Sequence, residues 1–294
     1  MPINTILVAL ALDDTSKRIA DRAVQLADQH KAQLVGVHVV EKLHLHASDL
    51  PAPLDAQALA GMVEDRGARQ LKSLLKKAAT SIVHVESGKP HEVIERLARS
   101  HGADLIVIGP GVAKNLREKV FGSTADRVVR CATCPVLVVR KDSYAPYRRI
   151  AVGVDCSGPG RAAALWAARL SPMASRRLIH SVEIPLSFEQ AMMEAGTSRN
   201  EIDQYLVAKA RTAQEKMLVS YGENGKLPPR TRIRIVHGDP ALTLLEASRR
   251  TGTDLVALGA QGSNAVARHL LGSVARKVLV GAKCDVLVIP AAAS

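Results

Sequence analysis

The chain is poor in aromatic residues, with 2 Phe, 4 Tyr and 1 Trp among 294 positions. Stacking platforms for single-stranded nucleic acid need such rings, which argues against that class of function. Cores built without them must rely on Val, Ile, Leu and Ala, a usage that suits parallel strands covered on both faces. Cysteine is scarce too. Four in a chain of this length are too few for a disulfide framework, so the expected compartment is the reducing cytoplasm. No apolar run approaches the roughly 20 residues of a membrane span. Met1-Pro2-Ile3-Asn4 leads into a strand-like run without a basic leader, so neither membrane insertion nor secretion is expected. A Walker lysine motif and a Ser-His-Asp order are also missing.

What is present is a balanced globular composition, 47% apolar and 23% charged, in a chain long enough for two sizeable cores. The formal net charge of +12 is dispersed, with no basic tail or block. Such dispersion reads as a solubilising surface, and no specific nucleic-acid partner is expected.

One glycine pattern is written twice. Gly259, Gly262, Gly272 and Ser273 follow the apolar run Leu255-Val256-Ala257-Leu258. At a constant offset of 150 positions, Gly109, Gly122 and Ser123 follow Leu105-Ile106-Val107-Ile108, with Val112 in place of the second glycine. The surrounding elements repeat as well. Short apolar runs (Ile6–Leu10, Leu34–Val40, Ile82–Val85, Leu105–Ile108, Pro135–Val139) alternate with helical periodicities, including one stripe through Leu59, Met62, Val63, Leu71, Leu74, Leu75 and Ala78. Residues 41–54, with Pro51 and Pro53, read as a loop, and 141–148 as a polar linker. The second half replays the order, from Arg149–Asp155 to Val286–Ile289, with Gly238-Asp239-Pro240 matching Gly88-Lys89-Pro90. The alternation predicts two tandem Rossmann-like, doubly wound α/β domains, 1–140 and 149–290, each with a parallel sheet and helices on both faces.

In such a sheet, ligands sit beyond the carboxyl ends of the strands, where strand order reverses. Asp155 ends the first strand of the second half, and its carboxylate can accept from ribose hydroxyls or a base. Gly259 allows close backbone approach, and Gly262 is expected to give the loop a conformation that aims N–H groups at phosphate. Gly272 and Ser273 open a helix whose free N–H groups and dipole favour an anion. In the first half Ala11 stands opposite Asp155 and Val112 opposite Gly262, so ATP binding is not expected there, and that half is read as structural or as binding something other than ATP. Lys114, Arg117 and Lys119 read as a solvated loop.

Together the element order, the glycine motif, the Gly-x-Pro turns and the Cys134-Pro135-Val136-Leu137-Val138-Val139 ending resemble the universal stress protein family, in its tandem form. The resemblance spans nearly the whole chain. It implies five strands per domain in the order 3-2-1-4-5. It also implies pairing of the domains through their fifth strands, an internal pseudo-dimer that could assemble further into a homodimer. It implies ATP as the ligand of the second domain, with Mg2+ held by the ATP phosphates, and adds Ser181 as a backbone contact to adenine and Val274 beside Ser273. The implied role is a regulatory or signalling module of the stress response, acting on an unidentified protein partner. Dedicated enzymatic activity beyond slow ATP hydrolysis is not expected. The alternatives are a slow ATPase or other nucleotide-dependent enzyme, and a scaffold or binder of a different small ligand.

Three further clusters read as structural. Cys131 and Cys134 have redox spacing, but Cys134 recurs as Cys284 before the last strand, which marks it as a buried thiol. His44 and His46 lack acidic or thiol partners for a metal. His38 and His180 end equivalent strands and are expected to satisfy backbone groups.

Overall fold

In the fourth strand of each half every residue is apolar or glycine, and both faces are covered. Leu105–Ile108 is buried at all four positions, and so are the first four residues of Leu255–Gly259. Side chains alternate across a strand, so burial at consecutive positions requires packing on both sides of the sheet. The computed structural model describes residues 2–41, 56–111, 121–142, 144–223, 226–250, 252–262 and 270–291. It divides into two compact units, Met1–Pro146 and Tyr147–Ser294.

In the first unit β1 (Thr5–Ala9), α1 (Ser16–His30), β2 (Gln33–Val40), α2 (Ala56–Leu75) and β3 (Ser81–Ser87) are followed by α3 (Pro90–Ser100), β4 (Leu105–Ile108), α4 (Ser123–Cys131) and β5 (Val136–Val138). The strands lie in the order β3-β2-β1-β4-β5, and their pairings are parallel. The second unit runs β6 (Arg149–Gly153), α5 (Gly158–Leu170), β7 (Ser175–Val182), α6 (Leu186–Glu194) and α7 (Arg199–Tyr221). It continues with β8 (Thr231–His237), α8 (Pro240–Arg249), β9 (Leu255–Gly259), α9 (Ser273–Gly281) and β10 (Asp285–Ile289). Its order is β8-β7-β6-β9-β10, again parallel. The expected doubly wound 3-2-1-4-5 architecture is therefore present in each unit. The crevice lies between the loops that leave the first and fourth strands. Among the described residues no helix is long and apolar enough to cross a membrane.

The aspartate before each fourth strand clamps the start of the first. Asp104 Oδ2 accepts from the backbone N–H groups of Asn4 and Thr5 at 2.7 and 3.1 Å. Asp254 Oδ2 does the same for Arg148 and Arg149 at 2.8 and 3.0 Å. The Asp-Leu pair that opens each repeat of the motif thus fixes the register of the strands flanking the crevice. His38 Nδ1 and His180 Nδ1 donate to the carbonyl oxygens of Leu10 and Val154 at 2.8 and 2.9 Å, the backbone role expected of them. Gly238, with φ +118°, holds the turn into α8 in a region that a side chain disfavours.

Elsewhere the structure departs from the sequence reading. The stripe assigned to the helix now seen as α2 is only partly internal: Leu71 and Leu75 are buried, but Met62 and Val63 are exposed, and Ala78 lies past the helix end. β7 is longer than its apolar run because Arg176 is buried within it, its guanidinium donating to the carbonyl of Pro172 and the hydroxyl of Thr231. α6 was not foreseen. Tyr147, read as linker, is buried, and its hydroxyl donates to buried Asp285 at 2.7 Å. The 41–54 loop beyond Glu41 lies outside the described residues, as do His44, His46, Val112, Lys114, Arg117 and Lys119.

Candidate functional site

In the second unit β6 ends at Gly153, and Val154 extends its pairing by one bond, N–H to Ile179 carbonyl at 3.0 Å. The chain then turns through Cys156, whose φ of 62° is left-handed, and enters α5. Asp155 stabilises this turn. Its Oδ1 accepts from the Ser157 N–H at 3.1 Å and from the Ser157 hydroxyl. The Ser157 Oγ in turn accepts from the Gly160 N–H at 3.1 Å, capping the helix. The carboxylate is thus held at the mouth of the crevice by its own loop.

The opposite wall is the N-terminus of α9. Its N-cap is Gly272, which has no side chain with which to cap the first turn, and among the described residues no side-chain cap bond is made there. Ser273, Val274 and Ala275 all line the crevice. Free backbone donors and a helix dipole together make an anion site there.

Between these walls lies a cavity of about 410 Å³. Asp155, Ser181, Gly259, Gly262, Gly272, Ser273 and Val274, all singled out from the sequence, line it together. Gly259 closes β9, Ser181 lies on β7 opposite Val236 of β8, and apolar Ile179, Leu244 and Leu258 add a floor. The physical reason for Gly262 differs from the expectation. Its φ lies outside the left-handed region, and what a side chain would meet is Asp155: a Cβ there would sit 3.1 Å from Oδ2. The structure thus ties this glycine to clearance around the carboxylate rather than to an unusual backbone conformation.

Two residues beside Asp155 escaped the sequence reading. A Cβ at Gly160 would come 2.7 Å from Asp155 Oδ1, so glycines leave room for the carboxylate on both sides. Tyr221, at the end of α7, brings a buried hydroxyl to the same spot. Burial, with Cys156 and Asp155 nearby, pushes its phenol far above the ordinary value, so it remains neutral. The Gly158-Pro159-Gly160 run after Asp155 was a readable signal for the first. Nothing local to Tyr221 marks the second.

The first unit carries a cavity of about 330 Å³ in the equivalent place. Ala11 does stand where Asp155 stands: Leu12 has φ 61° as Cys156 has 62°, and Leu10 donates to Val37 as Val154 does to Ile179. The inferred loss of a carboxylate is nevertheless corrected by Asp13, two residues on, which lines this cavity. Burial pushes Asp13 up, but hydrogen bonds from Thr15 and Ser16 outweigh it and hold the carboxyl below its ordinary value.

Burial, with Asp104 nearby, raises the Cys134 thiol to about 12, while Cys131 is exposed. Cys134 thus stays a thiol at neutral pH and becomes a thiolate only as pH approaches that value. Alkylation of the native protein at pH 8 is expected to label Cys131 at least about tenfold faster than Cys134. Equal rates, measured by mass spectrometry, would revive the redox reading of the pair.

Two doubly wound α/β units in one chain, each with a crevice at its strand switch point, define a tandem nucleotide-domain-like architecture. The universal stress protein family model matches residues 2–140 and again 146–290, and the chain belongs to that family as a tandem member. It is 32% identical over 147 residues to universal stress protein YxiE of Bacillus subtilis, covering 47% of this chain and 99% of that protein. Against universal stress protein E of Salmonella typhi identity is 28% over 134 residues, 44% of this chain and 42% of that protein. A universal stress protein structure from Archaeoglobus fulgidus aligns over 98% of this chain and 97% of its own, with TM-score 0.67 and 16% identity, a likeness of fold.

Proposed function

We propose that the second unit binds ATP and that the protein serves as a nucleotide-responsive regulatory module of the stress response. The observation that carries this reading is the meeting, in one cavity, of the turn-held Asp155 carboxylate and the uncapped first turn of α9. Asp155 accepts from the ribose hydroxyls, Ser181 offers its backbone to the base over the apolar floor, and the N–H groups from Ser273 onward receive the phosphates. The described lining contains no Lys or Arg, so Mg2+ carried on the phosphates is the counter-charge that fits.

Hydrolysis is not the purpose of such a site. Among the described lining residues Asp155 is the only acid, and its Oδ1 is already engaged by Ser157. Regulation follows if the ATP-bound and empty forms differ in affinity for a protein partner, since a ligand shifts an equilibrium only through such a difference.

Asp155→Ala is expected to weaken ATP binding about tenfold or more, the roughly 1.5–3 kcal/mol of a charged hydrogen bond. Titration calorimetry on the full chain measures it. Unchanged affinity in that variant would remove Asp155 from the site and with it this reading.

A further inference from the structure

Two histidines of the first unit meet away from the crevice. His84 lies on β3, and His101 is the C-cap of α3. Neither is among the described residues that line the crevice. Their Nε2 atoms stand 2.9 Å apart, with ring centroids 4.9 Å apart and ring planes tilted by 55°. At that separation one Nε2 donates and the other accepts. A single proton therefore lies between two atoms that are both metal ligands once it leaves.

The spacing is that of a chelate. A histidine nitrogen sits about 2.0–2.1 Å from a bound Zn2+, and two nitrogens at such a distance are about 2.9 Å apart across a right angle. Across the tetrahedral angle they would be about 3.4 Å apart, so the pair as it stands fits the right angles of Ni2+ or Cu2+. Burial, with His101 next, holds the His84 pKa below its ordinary value, and the ring is neutral at pH 7 as coordination requires. Glu86 of β3 and Arg96 of α3 act on His84 with opposite signs and pair with each other, so their charges offset. The end of α3 adds a preference of its own, since the partial negative charge of a helix C-terminus favours a cation. Among the described residues no third His, Cys, Asp or Glu completes the set. The contact is only part-buried, so water fills the remaining positions.

The fold does not demand this pair. At the constant offset of 150 positions Arg234 and Thr251 stand in its place, neither of them a ligand for such an ion, yet β8 and α8 form as β3 and α3 do.

We propose that His84 and His101 form a chelating site for one divalent transition-metal ion of the Ni2+ or Cu2+ kind, bridging the end of α3 to β3. The ion takes the place of the shared proton, which moves to Nδ1 of the ring that carried it. This site stands independently of the ATP reading of the second unit.

Ni2+ is the probe, titrated by calorimetry into untagged, metal-stripped, full-length protein. The proposal predicts one Ni2+ per chain with a Kd on the order of 10 μM, weakened at least about tenfold by His84→Gln and likewise by His101→Gln. His44→Ala combined with His46→Ala should leave that affinity unchanged. Circular dichroism shows whether each variant is folded. If a glutamine variant is not, anomalous diffraction from wild-type crystals soaked in Ni2+ carries the test, with a peak bridging the two Nε2 atoms. Absence of Ni2+ binding, indifference to either glutamine substitution, loss on removing His44 and His46, or a soaked crystal without the bridging peak each overturns the proposal.

Discussion

Gly262→Val is expected to weaken ATP binding by at least about 100-fold, or ~2.7 kcal/mol, while leaving the fold nearly as stable. A single Cβ at this position already lies 3.1 Å from Asp155 Oδ2, and the two γ-methyl groups of valine add to the crowding. The carboxylate has little room to retreat. Its other oxygen is tied to Ser157, and the backbone of Gly160 is packed against that same oxygen. Because φ at 262 is not left-handed, valine fits the backbone, and the damage falls on the cavity rather than on the chain. Valine is also the residue at the matching position 112. Titration calorimetry gives the affinity and a urea melt the stability. A variant that binds ATP like the wild type would show that clearance around Asp155 is irrelevant to the ligand.

A second large effect separates two residues that the periodicity of α2 treats alike. Leu71 is fully buried, packed near Gly36 of β2, whereas Met62 on the same apparent stripe is 66% exposed. Leu71→Ala is expected to cost about 3–5 kcal/mol, the lost transfer free energy plus the cavity left behind. Met62→Ala should cost under about 0.5 kcal/mol. Urea unfolding followed by circular dichroism measures both. Similar losses would mean that the outer turns of α2 are covered in solution.

That contrast shows where sequence reading reaches its limit. A 3.6-residue period identifies the apolar side of a helix, but not how far along its length the sheet extends beneath it. Leu71 and Leu75, near the end of α2, pack against Gly36 of β2, while Met62 and Val63 nearer its start stay exposed. The repeated glycine spacing was legible because it binds strand end, loop and helix start into one local unit, and Gly259, Gly262, Gly272 and Ser273 therefore converge as read. Tyr221 was illegible for the opposite reason. It comes to Asp155 from the far end of a 23-residue helix, and only tertiary packing makes them neighbours.

Asp13 was hidden by register. The first unit spends two more residues than the second between the left-handed turn and its helix, from Leu12 to Ser16 against Cys156 to Gly158. Matching strand to strand puts Ala11 opposite Asp155 correctly, yet the extra length carries another carboxylate back to the cavity. Gly262 lines the cavity without a left-handed φ, and since glycine tolerates both positive φ and close approach the sequence cannot distinguish the two. Arg176 stands ahead of the apolar Leu178-Ile179 pair, yet β7 includes it, because the carbonyls of Pro172 and Pro229 accept from the guanidinium. Burial, with Arg230 next, holds that guanidinium below its ordinary value.

The most direct test of the account is a crystal structure of the full chain grown with ATP and Mg2+. It should show ATP in the second unit alone, with ribose at Asp155, phosphates at the N–H groups from Ser273 onward, and no ATP in the first cavity. ATP bound between β1 and β4 of the first unit, or ATP absent from the second at saturating concentration, would contradict it.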